Sequence, residues 1–146
     1  MVRTGSVLVV DDDPLLCEVV SEGLGQAGFE VFTAADGAVA LRHLAVQLPD
    51  LIVLDMLMPN MDGVEALREV KARYPEVPVI AISGGTNTLV GADLLLRMAS
   101  SLGADALMTK PLKMPELVGL AKGLVRRGRP PSQASARRAG GPLDRS

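Results

Sequence analysis

Aromatic side chains are scarce in this chain of 146 residues, which has no tryptophan, one tyrosine and two phenylalanines. Modules that bind single-stranded nucleic acid commonly stack bases on aromatic rings, so that mode of binding has few partners here. Hydrophobic residues nevertheless make up 48% of the chain, which predicts a core of aliphatic side chains. A chain of this length can bury such a core as one domain without metal or disulfide support.

Cysteine and long hydrophobic runs are also lacking. Cys17 is the single cysteine, so no internal disulfide can form, and no histidine or second cysteine stands at metal-ligand spacing from it. It falls within a predicted helix, which favours a small packed side chain. The uninterrupted apolar runs are too short for a membrane span or for the core of a signal peptide. We therefore expect a cytoplasmic protein with no membrane span.

Charge is divided unevenly along the chain. Residues 1–125 contain 9 Lys and Arg against 16 Asp and Glu, whereas residues 126–146 contain 6 against 1. The second segment is rich in Arg, Gly, Pro and Ser, which predicts a disordered basic tail. Such a tail can contact nucleic acid nonspecifically, but most are solvated, and no helix-turn-helix follows the acidic part. We expect no specific DNA binding.

Short β-rich segments alternate with segments of helical periodicity. Strands are predicted at 6–10, 30–34, 51–54, 77–82 and 105–109. The first helix should begin at Pro14 with Asp13 as its N-cap, and the third should begin at Asp62 with Glu65 completing a capping box. Further helices are expected at 38–48, from Leu94 to Gly103, and at 115–125. Five strands alternating with five helices predict an α/β protein with a doubly wound parallel sheet.

The helical periodicity also predicts which residues are buried. In the first helix the apolar stripe consists of Leu16, Val19, Val20 and Leu24. The stripe of the fourth helix consists of Leu94, Leu95, Met98 and Leu102. His43 projects away from the stripe of its own helix, so we expect a solvated histidine rather than a metal ligand.

Polar residues gather where the predicted strands end. Asp11, Asp12 and Asp13 follow the first strand, Asp55 ends the third, Ser83 follows the fourth and Lys110 follows the fifth. These strand ends form one crevice in a parallel sheet. Crowded carboxylates repel unless a cation neutralises them, and an oxygen-only set suits hydrated Mg²⁺. Carboxylate, hydroxyl, ammonium and Mg²⁺ together favour phosphoryl transfer, although each residue alone is more often a turn, cap or surface group.

Four separated motifs carry a resemblance to a known family. They are Val9-Val10-Asp11-Asp12-Asp13-Pro14, Leu54-Asp55-Met56-Leu57-Met58-Pro59-Asn60-Met61-Asp62-Gly63, Ile82-Ser83-Gly84 and Thr109-Lys110-Pro111. In this order they resemble the receiver domain of two-component response regulators, over Val7 to Val125. The resemblance implies a flavodoxin-like fold with strand order 2-1-3-4-5, a receiver domain at residues 1–125, and a tail at 126–146.

The resemblance also implies roles for individual residues. Asp55 would be the phospho-acceptor, and Ser83 and Lys110 would contact the phosphoryl group. Magnesium would be bound by Asp12 and Asp55 directly, by Asp11 mostly through water, and by the Leu57 backbone carbonyl. The Lys110–Pro111 bond would be cis, which X–Pro bonds adopt at little cost.

The implied function is that of a stand-alone response regulator. The phosphoryl donor would be a phosphohistidine on a histidine kinase or a phosphotransfer protein. The protein would catalyse only its own phosphorylation and dephosphorylation, and would signal by contact with an unknown downstream protein. The fourth helix, fifth strand and fifth helix would form the contact face.

Two departures from the family pattern concern signalling rather than phosphorylation. Leu107 stands where the family usually has an aromatic switch residue, and Leu112 stands where an aromatic often follows Lys-Pro. The usual coupling between the Ser83 hydroxyl and an inward-swinging ring therefore cannot operate. The segment after Ser83, which begins Gly84-Gly85, is longer than usual and resembles that of a subgroup of stand-alone receivers.

Three other interpretations were weighed. A haloacid dehalogenase-like phosphatase would use Asp11 as the nucleophile, but the late acidic pair of that class is missing and Asp55 would have no role. A pseudo-receiver would keep the fold as an interaction module without using phosphate. The G-x-G-x-x-G pattern at residues 23–28 matches the dinucleotide fingerprint, but it lies at the end of a helix, so we treat it as a chance match.

Overall fold

The computed structural model describes residues 4–58, 62–84 and 92–128. Ten elements alternate along these residues: β1 (Gly5–Val10), α1 (Pro14–Gln26), β2 (Phe29–Ala34), α2 (Gly37–Val46), β3 (Leu51–Asp55), α3 (Asp62–Arg73), β4 (Val79–Ser83), α4 (Ala92–Ser101), β5 (Ala106–Thr109) and α5 (Met114–Gly128). The alternation of strands and helices confirms the predicted α/β class. None of the helices in the described part of the chain is long and apolar enough to span a bilayer.

All neighbouring strands are parallel, in the order β2-β1-β3-β4-β5, as the resemblance implied. The register sets the positions of the strand ends. Asp55 pairs with Ile82, one residue before Ser83, and Ser83 pairs with Thr109, one residue before Lys110. The three predicted site residues therefore lie together at the carboxyl ends of three adjacent strands.

The sheet is covered by helices on both faces. Alternate strand residues such as Leu8 and Leu54 pack with α2, α3 and α4 on one face, whereas Val7 and Val53 pack with α1 and α5 on the other. The core is aliphatic as predicted, since Phe29 is the one aromatic among the buried hydrophobic side chains of the described residues. Because β3 is central and covered on both faces, all its residues, Asp55 included, are buried.

Two aspartates begin helices. Asp13 Oδ1 accepts hydrogen bonds from the backbone N–H groups of Leu15 (3.0 Å) and Leu16 (3.4 Å), which confirms the predicted N-cap. Asp36 caps α2 by accepting from Val39 N–H at 2.9 Å, which the sequence reading did not identify. The proposed capping role of the Asp62 side chain lies outside what the structure describes.

The predicted buried faces of two helices were partly wrong. In α1 the buried residues are Cys17, Val20 and Leu24, whereas Val19 is 49% exposed. Cys17 is a packed side chain, as predicted. In α4, Leu95 and Ala99 are buried and Leu94 is 43% exposed. In both cases a small side chain faces the sheet, which allows close approach, and a stripe drawn through the largest apolar residues misses that rotation.

The prediction of a solvated His43 was only partly right, because the residue is half-buried. Its ring lies 5.1 Å from the ring of Phe32, at an interplanar angle of 45°. Its Nε2 atom is buried and has no hydrogen-bond partner among the described residues. The reason is tertiary: β2 is an edge strand, and α2 packs over its Phe32.

The end of the last helix differs from the predicted domain boundary. α5 continues to Gly128, so Arg126 and Arg127 lie in its last turn rather than in the tail. Cationic side chains are favourable there because they face the negative end of the helix dipole. The disordered tail was predicted for residues 126–146, and 126–128 are helical instead. Residues 129–146 lie outside the described part of the chain, as do Gly85 to Thr88.

Candidate phosphoryl-transfer site

The acidic residues after β1 and β3 form a cluster with one open side. Asp11 and Asp55 are 3% and 2% exposed, whereas Asp12 is exposed. One carboxylate oxygen from each of the three lies within 4.8 Å of the others. Three hard oxygen donors with a solvent-facing side fit a hydrated Mg²⁺ ion better than a soft metal. The donor set therefore fits the predicted cation.

Backbone N–H groups orient the two buried carboxylates. Asp11 Oδ1 accepts from Asp13 N–H at 2.9 Å, and Asp55 Oδ1 accepts from Leu57 N–H at 3.0 Å. The other oxygen of each carboxylate meets the same cation: Lys110 Nζ lies 3.3 Å from Asp11 Oδ2 and 3.4 Å from Asp55 Oδ2. Two buried anions thus share one ammonium, which leaves excess negative charge in the crevice.

Burial and the neighbouring charges shift the pKa values of Asp55 and Lys110. Burial raises the pKa of Asp55 to about 6, and the Asp11 carboxylate adds to the rise, against the opposing effects of the Leu57 N–H and of Lys110. Burial by itself would lower the pKa of Lys110, but the carboxylates of Asp55 and Asp11 raise it above its ordinary value. The ammonium is therefore held in its charged form.

Ser83 ends β4 beside this cluster. The residue is fully buried, and its hydroxyl oxygen has no hydrogen-bond partner among the described residues. Its backbone carbonyl accepts from Lys110 N–H at 2.9 Å, which ties the ends of β4 and β5 together. Leaving a buried hydroxyl without a partner is costly, so the Ser83 hydroxyl stands out as a group with unused hydrogen-bonding capacity beside the carboxylates.

Close packing around Asp55 depends on a glycine in the first turn of α3. A Cβ atom on Gly63 would lie against the backbone carbonyl of Asp55 and 2.6 Å from Met56 Cα. Both neighbours are main-chain atoms of the strand end, which cannot turn aside as a side chain can. Glycine therefore allows α3 to begin directly against the residue that carries the buried Asp55 carboxylate.

The remaining predicted residues fall around the cluster. Leu57 is 36% exposed, and the role of its carbonyl as a metal ligand stays a prediction. The Lys110–Pro111 bond is cis, as predicted. Asp13 caps α1 and is not a member of the carboxylate cluster of Asp11, Asp12 and Asp55. Sequence reasoning did not foresee that the Lys110 side chain runs beside Gly84, where an added Cβ atom would lie 2.6 Å from Lys110 Cδ.

Comparisons with known proteins agree with this geometry. The response regulator receiver domain profile matches residues 7–122. This chain belongs to the response regulator receiver domain family. Among solved structures, the receiver domain of NtrX from Brucella abortus is 32% identical, with a TM-score of 0.74, covering 82% of this chain and 97% of that one. A CheY-like receiver domain protein from Methanospirillum hungatei has a TM-score of 0.76 at 24% identity, covering 88% and 97%, which supports the fold alone.

The curated relatives are longer than this receiver chain. The transcriptional regulatory protein PrrA of Mycobacterium leprae is 40% identical over 144 residues, which are 98% of this chain and 60% of the relative. The DNA-binding response regulator MtrA of Mycolicibacterium smegmatis is 36% identical over 83% of this chain and 50% of its own length. The receiver chain thus spans 60% or less of these two relatives.

Proposed function

We propose that Asp55 accepts a phosphoryl group from the phosphohistidine of a histidine kinase or a phosphotransfer protein, in a Mg²⁺-dependent reaction. The observation that carries this proposal is the position of the Asp55 carboxylate. It is buried, it shares the Lys110 ammonium with Asp11, and it lies on the strand next to the one that ends in the unpartnered Ser83 hydroxyl.

Each residue has a distinct task in this reaction. An Asp55 carboxylate oxygen attacks phosphorus, the P–N bond to the donor imidazole breaks, and its electron pair stays with the imidazole nitrogen. Lys110 and Ser83 face the transferred oxygens and stabilise their charge. Asp11, Asp12 and Asp55 would hold Mg²⁺, with the Leu57 carbonyl as a further ligand. The bound ion supplies positive charge that offsets repulsion between the carboxylate and the phosphoryl group.

The phosphatase alternative assigns the nucleophile to Asp11 within the Asp11-x-Asp13 motif, and one contact argues against it. The Asp13 carboxylate, the second acid of that motif, is engaged by two backbone N–H groups at the start of α1. In addition, that assignment leaves the buried Asp55, with its pKa of about 6, without a chemical role. We therefore assign the acceptor to Asp55.

The test is phosphorylation of the purified protein with Mg²⁺ and a small phosphodonor such as acetyl phosphate. We expect one acid-stable, base-labile phosphoryl group per chain, detected by intact mass. Asp55→Asn should abolish it, whereas Asp13→Asn, at the α1 cap, should retain it. An adduct that survives Asp55→Asn and disappears in Asp11→Asn would favour the phosphatase. Absence of both an adduct and Mg²⁺ binding would favour the pseudo-receiver.

We further propose that the phosphorylated protein signals by protein contact at the face formed by α4, β5 and α5. A groove of about 250 Å³ lies there, lined in part by Leu96, Leu107, Pro111 and Lys113. Leu107 is 40% exposed and Leu94, on α4, is 43% exposed. Leu107 both lines this groove and is part-exposed, so an apolar side chain of a partner would contact it there.

The longer relatives suggest a second candidate output, control of DNA binding, because they are transcriptional regulators by name. We propose instead that residues 1–146 signal by protein contact and do not themselves bind specific DNA. A gel-shift assay with the phosphorylated protein tests this, and sequence-specific retardation would contradict it. The expected cytoplasmic location stays a prediction.

A further inference from the structure

The solvent-facing side of α1 carries apolar and acidic side chains together. Leu15 and Val19 are 66% and 49% exposed. Glu18 and Glu22 are also exposed. Positions three and four apart lie on the same side of a helix, so these four residues form one stripe, here named the α1 face. Its two apolar side chains remain largely in solvent in the described part of the chain.

The charges of the chain attract its last segment to this face. Residues 1–128 contain 11 Lys and Arg against 16 Asp and Glu, whereas residues 129–146 contain four Arg and one Asp. α1 itself has two glutamates and no Lys, Arg or His. The last segment supplies two adjacent guanidinium groups at Arg137 and Arg138. The two surfaces are therefore complementary in charge.

The last segment begins close enough to reach α1. α5, which ends at Gly128, packs beside α1 on one face of the sheet. Packed helices lie about 8–10 Å apart, and α1 is about 20 Å long because an α-helix rises about 1.5 Å per residue. Residues 129–137 span up to about 30 Å when extended. The arginines at 137–138 can therefore reach the α1 face.

We propose that residues 129–146 bind the α1 face of the same chain, with Arg137 and Arg138 paired with Glu18 and Glu22. Exposed ion pairs are individually weak, so the tether supplies much of the affinity. A short flexible linker holds the arginines at an effective concentration of roughly 1 mM, and a contact with a Kd of about 1 mM is then occupied about half of the time.

The α1 face lies next to the candidate site. α1 begins at Pro14, directly after the three aspartates that follow β1. A protein donor that approaches Asp55 over α1 has to displace the segment, whereas a small donor such as acetyl phosphate does not. This consequence rests on the proposed function, but the contact between the segment and α1 does not.

Paramagnetic relaxation in the full chain tests the contact. A nitroxide is attached at Ala139→Cys in a chain that also carries Cys17→Ser, so that the label has one attachment point. We expect the amide signals of Glu18, Val19 and Glu22 to lose about half of their intensity or more. The amides of α3, on the opposite face of the sheet, should keep theirs. In about 1 M NaCl the loss should largely disappear, because the Debye length falls to about 3 Å.

Charge reversal shows whether the named residues make the contact. Glu18→Lys with Glu22→Lys should raise the signals of the α1 face by about twofold, back to the intensity without the label. Arg137→Glu with Arg138→Glu should do the same. The chain with all four changes should regain the loss of signal, as expected for a direct pairing of charges. If the four changes together left the signals at full intensity, this pairing would be wrong.

The matched control is Glu65→Lys with Glu76→Lys. It changes two exposed acids in and just after α3 by the same net charge. The loss of signal at the α1 face should persist in this variant. If the control restored the signals as fully as the change in α1 does, the attraction would be to the net charge of the body, and the inference would be overturned.

A mixing experiment distinguishes this chain's own segment from that of a second copy. Isotope-labelled chains without the nitroxide are mixed with nitroxide-labelled chains without the isotope. Signal loss at the α1 face in the mixture would overturn the intramolecular contact. An even loss over the whole surface, or no loss within the doubly labelled chain, would also overturn it. None of these outcomes bears on the phosphorylation of Asp55, which the adduct measurement tests by itself.

Discussion

Three consecutive aspartates after β1 occupy three different environments. Asp11 is buried against Lys110, Asp12 is the exposed member of the carboxylate cluster, and Asp13 caps α1. The difference arises because the chain leaves a strand and enters a helix within these three positions, which rotates each side chain to a new direction. Three residues of one type thus differ in burial and in hydrogen-bond and ion-pair partners within a single turn of chain.

The raised pKa of Asp55 predicts how the stability of the metal-free protein depends on pH. The pKa in the fold is about 6, against an ordinary value of 3.8, so the folded state binds this proton more tightly than the unfolded state does. The stabilising contribution is complete when the pH is below the pKa of Asp55 in the unfolded state. It is lost as the pH rises through the pKa of Asp55 in the folded state. Above that pH the ionised Asp55 destabilises the fold.

Asp55→Asn removes this charge while keeping the shape of the side chain. We expect the variant to exceed the wild type in free energy of unfolding at about pH 7.5 without Mg²⁺, by on the order of 1–3 kcal/mol. The difference should shrink toward about pH 5 and when Mg²⁺ is added. Urea unfolding across this pH range measures it. A variant less stable than the wild type at the higher pH would contradict the prediction.

At the scale of elements, the junction between β3 and α3 depends on Gly63. An added methyl group would press on main-chain atoms of Asp55 and Met56, which have no side-chain freedom with which to yield. We expect Gly63→Ala to lower the free energy of unfolding by roughly 1–3 kcal/mol and to weaken Mg²⁺ binding as the acceptor strand end shifts. Chemical unfolding and calorimetry measure the two effects.

Gly25→Ala, in α1, is the matched control. No atom lies within 4 Å of a Cβ built at Gly25, so alanine there should stabilise the helix by about 0.5–1 kcal/mol and leave the site unaffected. If both glycine variants gained stability, the close packing of α3 against the end of β3 would not be a constraint.

In the whole molecule, the candidate site lies at the carboxyl ends of the strands, and a group of stabilising hydrogen bonds lies at their amino ends. Asp105 precedes β5, where its Oδ2 accepts from Lys71 Nζ at 2.9 Å and from Val79 N–H at 2.8 Å. Lys71 Nζ also donates to the Val77 carbonyl at 3.0 Å. These bonds join α3, β4 and β5 at the amino end of the strands, away from the carboxylates of Asp11, Asp12 and Asp55.

Asp105→Ala should therefore separate stability from function. It leaves the N–H of the buried Val79 without its side-chain acceptor, and we expect a loss of about 1–3 kcal/mol in the free energy of unfolding. The Mg²⁺ affinity and the rate of Asp55 phosphorylation should remain at wild-type values at a temperature where both proteins are folded. A large change in the Mg²⁺ affinity or in the phosphorylation rate would mean that the amino and carboxyl ends of the strands are energetically coupled.

Much of this organisation could be predicted because it is local or periodic. The alternation of strands and helices, the Asp13 cap and the position of Asp55, Ser83 and Lys110 at strand ends follow from short stretches of sequence. The predictions failed where a residue's environment is set by distant contacts. His43 is covered by Phe32 of another element, and Val19 is exposed because Cys17 and Val20 are the side chains of α1 that face the sheet.

The class of fold and the chemical groups that meet at the carboxyl ends of the strands were readable from the sequence, because parallel strands place their ends together whatever their exact packing. The burial of Asp11 beside the exposed Asp12, the lack of a partner for the Ser83 hydroxyl among the described residues, and the direction of the Lys110 side chain came from the fold. Those properties depend on distances between residues far apart in the chain, such as the 3.3 and 3.4 Å that separate Lys110 Nζ from Asp11 and Asp55.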